Sequence, residues 1–293
     1  MWDVVNHKIR KCVFVCRGEQ RSPVMERMRI KKGVTILAYL VSARSNRGNV
    51  KENNQDACTV KTASTALGEV AFGLICDGMG GLSEGETASA TVISAFSDWF
   101  YNALPFQLGA DNFSGQLFSS WNNIIDICNK KLHTYGESRG IKRGTTCCGV
   151  LVAQGRYYVI NIGDSRLYAV TNKSLSQLTE DQTFVAREVR EGRMTPEQAE
   201  QDPRKSVLLQ CIGASNSVTP QFIEGAVTQD TAFLLCSDGF RHLVSDKELL
   251  RSYAPKVLKD KDTADRNSDE LIRLNMERGE SDNITAAVIK VTI

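Results

Sequence analysis

Three aspartates in this chain stand where an apolar, strand-like run meets a turn that contains glycine or asparagine. They are Asp77, Asp238 and Asp282. A carboxylate at the end of a strand is held by a rigid element and points into a space that backbone oxygens can also approach. Two carboxylates about 5 Å apart repel by roughly 3 kcal/mol at an effective dielectric near 20, so three that converge need a cation. The pattern predicts strands that end around a metal site.

The donor atoms indicate which metal would bind there. Oxygen ligands without histidine or cysteine suit Mg²⁺ or Mn²⁺ better than Zn²⁺. Asp-Gly turns are common, so any one of the three aspartates taken alone could simply cap a turn. Their recurrence at strand ends favours the metal site.

The composition is that of a globular protein with one sizeable core. The chain has 293 residues, of which 42% are hydrophobic and 24% charged, which suits a single domain with an appended segment. The net charge is only +2, so the chain lacks the large excess of positive charge that attracts nucleic acid or membranes. The longest apolar stretch, residues 34–43, has about half the length that spans a bilayer.

Nine cysteines, most of them inside apolar runs, predict buried thiols rather than a disulfide framework. Thiols of this kind are typical of a reducing compartment, so we expect a cytoplasmic protein. Cys12 and Cys16 form no zinc-ligand spacing with the three histidines.

Residues 1–33 are rich in lysine and arginine and lack the uninterrupted apolar segment of a secretory signal. We expect them to form a disordered N-terminal extension outside the fold. A flexible tail, an interaction arm or a start site placed upstream of Met28 would each explain the segment. Residues 34–293 would then be the folded domain.

Apolar periodicity predicts the elements of that domain. The order of these elements favours an α+β fold over alternating βαβ units, because the strands follow one another through hairpins while the helices come in pairs. Strands are predicted at residues 35–43, 57–61, 69–76, 145–153, 156–162, 167–171, 219–224, 231–236 and 284–293, and helices at residues 84–101, 115–135, 184–191 and 263–277 and after Ser245.

A polar segment at about residues 182–206 interrupts the strands. It includes a capping box from Thr195 to Gln198, with Pro196 at the first helical position. We interpret this segment as a flap over the site, and the alternative is a peripheral helical hairpin.

Six short motifs occur in a fixed order. They are Asn-Asn-Gln-Asp at 53–56, Asp-Gly-Met-Gly-Gly at 77–81, Gly-Thr-Thr at 144–146, Asn-Ile-Gly-Asp-Ser-Arg at 161–166, Ser-Asp-Gly at 237–239 and Ser-Asp-Asn-Ile-Thr at 281–285. Each motif alone is weak, but the ordered set is specific. Through it, about residues 40–291 resemble the PP2C-type (PPM) metal-dependent protein serine/threonine phosphatases of bacteria.

The resemblance implies two packed antiparallel β-sheets flanked by pairs of α-helices, a four-layer αββα sandwich. It also implies a dinuclear Mn²⁺ or Mg²⁺ centre at one end of the sandwich. In that centre Asp77 would bridge both ions and the Gly78 carbonyl would bind one of them. Asp238 and Asp282 would hold the other ion.

Further residues around the centre carry over from the same motifs. Asp164 would join Asp238 in a third, weaker metal site, and Asp56 and Gln55 would support the centre from nearby. The family often has glutamate at the position of Gln55, so a charge is lost here, although the amide oxygen can still accept a hydrogen bond.

The implied reaction is hydrolysis of phosphoserine and phosphothreonine by a metal-activated water, without a phospho-enzyme intermediate. Two ions about 3.5–4 Å apart can lower the pKa of a bridging water and stabilise an in-line displacement. Asp77-Gly78-Met79 agrees with this, because it lacks the second aspartate of an Asp-x-Asp phosphoryl acceptor. His133 and His242 lie outside the six motifs, and we expect structural roles for both.

Two positions depart from the family in ways that affect the substrate. Lys51 stands where an arginine commonly contacts the substrate phosphate, and we hypothesise that Lys51, or otherwise the nearby Arg47, takes that role. Met79 stands where eukaryotic relatives carry a histidine proposed to protonate the leaving group, so the proton must come from another source.

The resemblance implies phosphorylated proteins as partners, among them a bacterial Ser/Thr kinase and its substrates, for a chain that acts as a monomer. Two other classes stay open. A catalytically silent relative would bind phosphoproteins without hydrolysing them, although like-charge clusters are costly where they serve no purpose. A metal nuclease could use the same oxygen ligands, but it would want a basic surface.

Overall fold

The computed structural model describes residues 13–15, 38–80 and 84–293. The strands are β1 (Val13–Val15), β2 (Ala38–Asn46), β3 (Ala57–Thr65), β4 (Gly68–Cys76), β5 (Gly78–Gly80), β6 (Arg143–Thr145), β7 (Cys147–Ala153), β8 (Arg156–Ile162), β9 (Arg166–Val170), β10 (Leu175–Gln177), β11 (Gln221–Ala226), β12 (Thr231–Cys236) and β13 (Ile284–Thr292). The helices are α1 (Glu84–Asn102), α2 (Leu104–Gln107), α3 (Phe113–Arg139), α4 (Phe184–Arg190), α5 (Pro196–Gln201), α6 (Asp238–Arg241), α7 (Asp246–Tyr253) and α8 (Lys261–Glu277).

Two antiparallel sheets lie at the centre of the described residues. The first sheet has the strand order β1-β3-β4-β7-β8-β11, the second has the order β10-β9-β12-β13-β2, and β5 and β6 form a separate pair. The predicted hairpin between β7 and β8 is confirmed, since Gln154 and Gly155 both adopt positive φ angles, 53° and 73°. Two such residues make the tight turn that matches the twist of antiparallel strands.

Three apolar clusters fill the spaces between four layers. The long helices α1 and α3 cover the outer face of the first sheet, where Phe72, Phe96 and Trp121 pack together. The second cluster lies between the two sheets, and the third lies between the second sheet and α6, α7 and α8. The predicted α+β sandwich is confirmed.

Strand β12 shows why the central strands read as continuous apolar runs. Phe233 and Leu235 belong to the cluster between the sheets, whereas Leu234 and Cys236 belong to the cluster under the outer helices. Successive side chains of a strand point to opposite faces, so a strand covered on both sides must be apolar at every position.

The predicted boundaries differ most where the chain leaves a sheet. One strand was expected at residues 145–153, but the structure divides it at Thr146, because β6 turns away to pair with β5. The capping box predicted at Thr195 is confirmed, and the helix predicted after Ser245 also begins with a capping box. The elements α2, α6, β5 and β10 have three or four residues each and were not predicted, because a periodic pattern needs more residues than that.

Of the N-terminal extension, the structure describes only Val13–Val15, which pairs antiparallel with residues 59–61 of β3. The other residues of the extension, together with 34–37 and 81–83, lie outside the described residues. None of the helices in the described part of the chain is both long and apolar enough to cross a membrane.

Candidate metal centre

The backbone of Asp77, directly after β4, is fixed by two threonines. The N–H of Asp77 donates to Thr146 Oγ1 at 2.9 Å, and its carbonyl accepts from the N–H of Thr146 and from Thr145 Oγ1, both at 2.9 Å. Thr146 Oγ1 also lies 2.9 Å from Ser165 Oγ, in the turn that carries Asp164. These contacts bring the motifs around residues 77, 145 and 164 together.

Gly78 lies where three stretches of backbone approach closely. A Cβ atom at this position would lie 2.2 Å from the carbonyl oxygen of Gly85 and 2.5 Å from that of Gln55. The N–H of Gly78 donates to the Gln55 carbonyl at 3.2 Å, and Ser89 Oγ donates to the same oxygen at 2.7 Å. The contact explains the Asp-Gly sequence, because any side chain at position 78 would separate α1 from the turn.

Asp238 and Asp282 lie at the ends of the neighbouring strands β12 and β13, which pair antiparallel in the second sheet. The turns that carry them touch, since a Cβ atom on Gly239 would lie 2.2 Å from the carbonyl oxygen of Asn283. Each carboxylate accepts the N–H of the next residue, Gly239 at 2.6 Å and Asn283 at 2.7 Å. The two aspartates therefore share one corner of the sheet, as the motifs predict.

The buried amide of Asn283 joins this corner to the loop between β2 and β3. Its Oδ1 accepts the N–H of Gln55 at 2.8 Å, while its Nδ2 donates to the carbonyls of Arg47 and Asn53 at 2.9 and 3.0 Å. In the sequence, Asn283 is visible only as part of a motif. Its residue type could have indicated the linking role, because an amide can donate and accept hydrogen bonds at once.

Asp56 is buried beside the corner, and both of its carboxylate oxygens are without a hydrogen bond of ordinary geometry. Burial, and after it the charges of Asp238 and Asp282, raises the pKa of Asp56 to about 7, while the nearby hydroxyls of Thr285 and Ser237 oppose the rise. A buried carboxyl group with two oxygens lacking such bonds, next to like charges, is a place that a cation would stabilise.

The pKa values of two more aspartates are raised by the same causes. Burial, followed by the charges of Asp56, Asp238 and other carboxylates, raises the pKa of Asp77 well above its usual range. Burial and the charge of Asp238 raise the pKa of Asp164 to about 6, although Arg241 acts against the rise. The five aspartates thus form one interacting group.

Charge and donor type make this group fit a hard divalent cation such as Mg²⁺ or Mn²⁺. In the part of the chain that the structure describes, no three acidic, histidine or cysteine side chains lie close enough to hold an ion as placed. Mutual repulsion favours that wider spacing. Asp238 and Asp282 each accept a hydrogen bond from their own turn through one carboxylate oxygen, Oδ1.

Lys51 places a positive charge among these carboxylates. Its Nζ lies 2.9 Å from Asp282 Oδ1. Partial burial lowers the pKa of Lys51, but the hydrogen bond to Asp282 and the charges of Asp282, Asp77 and Asp238 outweigh this and raise it overall. Arg47, the other candidate for phosphate binding, is exposed, and its Nη1 donates to the carbonyl of Glu52 at 3.2 Å.

Gln55 braces the turn after Asp77. Its Nε2 donates to the carbonyl of Gly80 at 3.0 Å, and its side chain packs against Gly85 at the start of α1. A glutamate could not donate this hydrogen bond. The structure therefore gives the glutamine at this position a local role that the sequence did not indicate.

Arg241 ends the short helix α6 and lies between Asp164 and Asp181. Its Nη2 donates to the Asp164 carbonyl at 3.2 Å and lies 3.9 Å from Asp164 Oδ2 and 3.5 Å from Asp181 Oδ2. Arg166 binds Asp181 through two hydrogen bonds of 2.8 and 2.6 Å. Although burial raises the pKa of Asp181, the two arginines outweigh it, and that pKa is lowered.

His242 lies one helical turn after Asp238, with its Nε2 3.6 Å from Asp238 Oδ2 and its Nδ1 3.3 Å from Glu280 Oε2. The hydrogen bond to Glu280, followed by the charge of Asp238, raises the pKa of His242 despite partial burial. The motif around Asp238 ends at Gly239, so it gives no indication of this placement. A helix that starts at Asp238 would have indicated it, since residues four apart share a face.

The segment read as a flap contains α4 and α5. Its base is closed by the N–H of Leu209, which donates to the Gln182 carbonyl at 2.8 Å. Gln182 also exchanges two hydrogen bonds with Gly163, of 3.0 and 2.9 Å, directly before Asp164. The flap base is thus fastened to the candidate site, and its role there stays a prediction.

The chain is similar to known proteins over most of its length. Residues 45–274 match the family model described as protein phosphatase 2C. The serine/threonine protein phosphatase PstP of Mycobacterium tuberculosis is 32% identical over 259 residues, which cover 87% of this chain and 45% of that protein. The serine/threonine phosphatase Stp of Listeria monocytogenes is 31% identical over 251 residues, which cover 84% of this chain and 94% of the relative.

A solved structure of the catalytic domain of PstP, in complex with two manganese ions, is 30% identical. It superposes with a TM-score of 0.70 and covers 88% of this chain and 100% of that structure. This chain thus spans less than half of the mycobacterial relative and nearly all of the Listeria one. The family match covers well over half of the sequence, and the chain belongs to the protein phosphatase 2C family.

Proposed function

We propose that this chain is a metal-dependent phosphatase that hydrolyses phosphoserine and phosphothreonine in proteins. The observation that carries the proposal is the group of interacting aspartates at one corner of the fold, with the ammonium of Lys51 among them. The relatives are named serine/threonine phosphatases, and the catalytic domain of PstP was solved with two manganese ions, which supports the same chemistry here.

In this proposal Asp77, Asp238, Asp282 and the carbonyl of Gly78 hold two divalent ions, Mn²⁺ or Mg²⁺, and Asp56 supports them from nearby. When bound, the ions would activate a water molecule and neutralise charge on the phosphoryl oxygens. The protein supplies the geometry. The threonines at 145 and 146 fix the backbone of Asp77, and the paired strands β12 and β13 bring the other two aspartates together.

Lys51 is the better candidate for binding the substrate phosphate. Its ammonium already lies among the carboxylates that would hold the ions, so a phosphoryl group that reaches the ions would also meet Lys51. The guanidinium of Arg47 is instead engaged by the carbonyl of Glu52. Met79 cannot donate a proton to the leaving group, so that proton has to come from water or another side chain.

The substrates in this proposal are phosphorylated proteins, including a Ser/Thr kinase and its targets, and the flap contributes to their selection. We further propose a monomer in the cytoplasm. Buried thiols at all seven cysteines that the structure describes support a reducing compartment.

The test is hydrolysis of a phosphothreonine peptide in EDTA, in Mg²⁺ and in Mn²⁺. We expect turnover only with an ion, and we expect Asp238→Asn to reduce kcat by at least about a hundredfold because it removes a ligand charge. Asp262→Asn is the matched control, since it removes the same charge from an exposed position on α8. A folded wild-type chain that binds phosphopeptide without hydrolysing it under any ion would contradict the proposal and support a silent binding module. Cleavage of nucleic acid instead of phosphopeptide would support the nuclease alternative.

A further inference from the structure

The position expected for a third metal ion, between Asp164 and Asp238, is lined by a positively charged side chain. Arg241 contacts Asp164 twice, through the carbonyl oxygen at 3.2 Å and toward the carboxylate at 3.9 Å. Its side chain is only 12% exposed, so the guanidinium is part of the interior of this corner. A cation already faces the carboxylate that the third ion would need.

The charge of Arg241 is permanent. A guanidinium is not deprotonated in proteins, so an arriving ion does not neutralise it. A divalent ion bound to Asp164 would therefore lie next to a fixed positive charge. His242, the next residue, adds a second basic group, whose Nε2 lies 3.6 Å from Asp238 Oδ2.

Arg241 is also held in place by a second acidic residue. Its Nη2 lies 3.5 Å from Asp181 Oδ2, and Asp181 is itself fixed by the two hydrogen bonds from Arg166. If Arg241 swung away to admit an ion, it would leave a buried carboxylate with one cationic neighbour fewer. The surrounding contacts therefore favour the guanidinium over the ion.

We infer that Arg241 takes the place of the third metal ion, so that this chain holds two divalent ions where its family resemblance suggested three. The inference rests on the proposed metal centre and limits that centre to two ions. It also gives Arg241 a structural task, because Asp181 stands next to Gln182 at the base of the flap. Arg241 links that base to the Asp164 turn by a fixed ion pair rather than by an exchangeable metal.

The test is the number of Mn²⁺ ions bound per chain, measured on the full metal-free chain by calorimetric titration and by native mass spectrometry. We expect two ions in the wild-type chain and three in Arg241→Gln, with the third bound at least about tenfold more tightly than any third ion in the wild type. Arg241→Lys, which keeps the positive charge, should still bind two. The double variant Arg241→Gln/Asp164→Asn should return to two ions, because it loses the ligand of the new site.

Should Arg241→Gln fail to fold, the ion counts of the wild-type chain and of Asp164→Asn still test the inference. Asp164→Asn should leave the ion count of the wild type unchanged. Three ions in the wild type, with one of them lost in Asp164→Asn, would overturn the inference and leave the proposed phosphatase intact. No third ion in a folded Arg241→Gln would also overturn it. A wild-type chain that binds no Mn²⁺ at all would overturn both this inference and the proposed function.

Discussion

Lys51 is the residue whose removal best separates substrate binding from metal binding. It carries a charge toward the site without being a metal ligand, so Lys51→Ala should lower kcat/KM on a phosphothreonine peptide by about 10- to 100-fold, mainly through KM. Lys51→Arg should retain most of the activity, and Arg47→Ala should stay within about twofold of wild type, because the guanidinium of Arg47 faces a backbone carbonyl. Unchanged kinetics in Lys51→Ala would assign the phosphate to another residue.

Asp56 gives the metal-free chain a stability that depends on pH. Its pKa is about 7 in the folded chain, against roughly 3.9 for an unfolded aspartate, so the folded state favours the protonated form. The stabilisation is complete below about pH 4 and is lost as pH rises through 7. Asp56→Asn cannot ionise. We expect the difference in free energy of unfolding, Asp56→Asn minus wild type, to rise by on the order of 2 kcal/mol between pH 5 and pH 8.

The measurement is urea unfolding of both chains in EDTA at the two pH values. A difference between them that does not change with pH would show that Asp56 is not protonated in the folded chain. The comparison with Asp56→Asn is needed because Asp181, with its lowered pKa, contributes a pH dependence of the opposite sign.

Single residues also mark the limit of what the sequence could predict about the site. Asp77, Asp238 and Asp282 could be named because each stands at a strand end in a recognisable turn. Arg241 and His242 could not, since their importance depends on α6, whose four residues give no periodic signal. The roles of these two residues follow from the tertiary position of a single helical turn.

At the scale of elements, Asn283 holds the loop between β2 and β3 against β13. Asn283→Ala would leave the carbonyls of Arg47 and Asn53 without their shared donor, which should cost about 1–3 kcal/mol of stability. We expect the backbone amides of residues 47–56 to exchange faster with solvent in this variant, while those of β8, in the other sheet, stay unchanged. Equal exchange in that loop before and after the substitution would contradict the role given to Asn283.

The flap is an element whose removal is structurally simple. Gln182 and Leu209 are hydrogen-bonded at its base, so a short Gly-Ser linker can replace residues 184–206. We expect kcat/KM for a small aryl phosphate to stay within about threefold, because the aspartates lie outside the deleted segment. Activity on a phosphoprotein should fall about tenfold or more, since a large substrate would lose its contacts with α4 and α5. Equal losses on both substrates would instead make the segment part of the catalytic site.

Long elements were predicted well and short ones poorly, for a physical reason. Helices α1 and α3 bury one face over many turns, so their apolar spacing is visible in the sequence. The break between β6 and β7 leaves no such spacing in the sequence, because it depends on a hydrogen bond from Thr146 to Asp77, which lies far away in the chain. Local pattern contains no information about such a partner.

At the scale of the whole molecule, the fold could be predicted because two properties agree. The strands connect through hairpins and the helices come in pairs, and the central strands are apolar on both faces, as strands covered on both sides must be. What the sequence could not predict is how the ends of the two sheets meet. That meeting depends on close approaches such as those of Gly78 and Gly239, which are visible only in three dimensions.

The aspartates come from both sheets, and this has a consequence for the kinetics of folding. Asp77 follows a strand of the first sheet, whereas Asp238 and Asp282 belong to the second. Contacts between residues so distant in sequence form late, because the chain must first close a long loop and pack both sheets. An ion that needs all three carboxylates should therefore find no site in the folding transition state.

We expect Mn²⁺ to slow the unfolding of the chain and to leave its refolding rate unchanged, since it would stabilise only what forms after the transition state. Stopped-flow measurements with and without Mn²⁺ would check this, with Asp238→Asn as a chain on which the ion should have no effect. An ion-dependent refolding rate would mean that the corner assembles early. If the site does form last, the metal would lengthen the lifetime of the folded protein without guiding its folding.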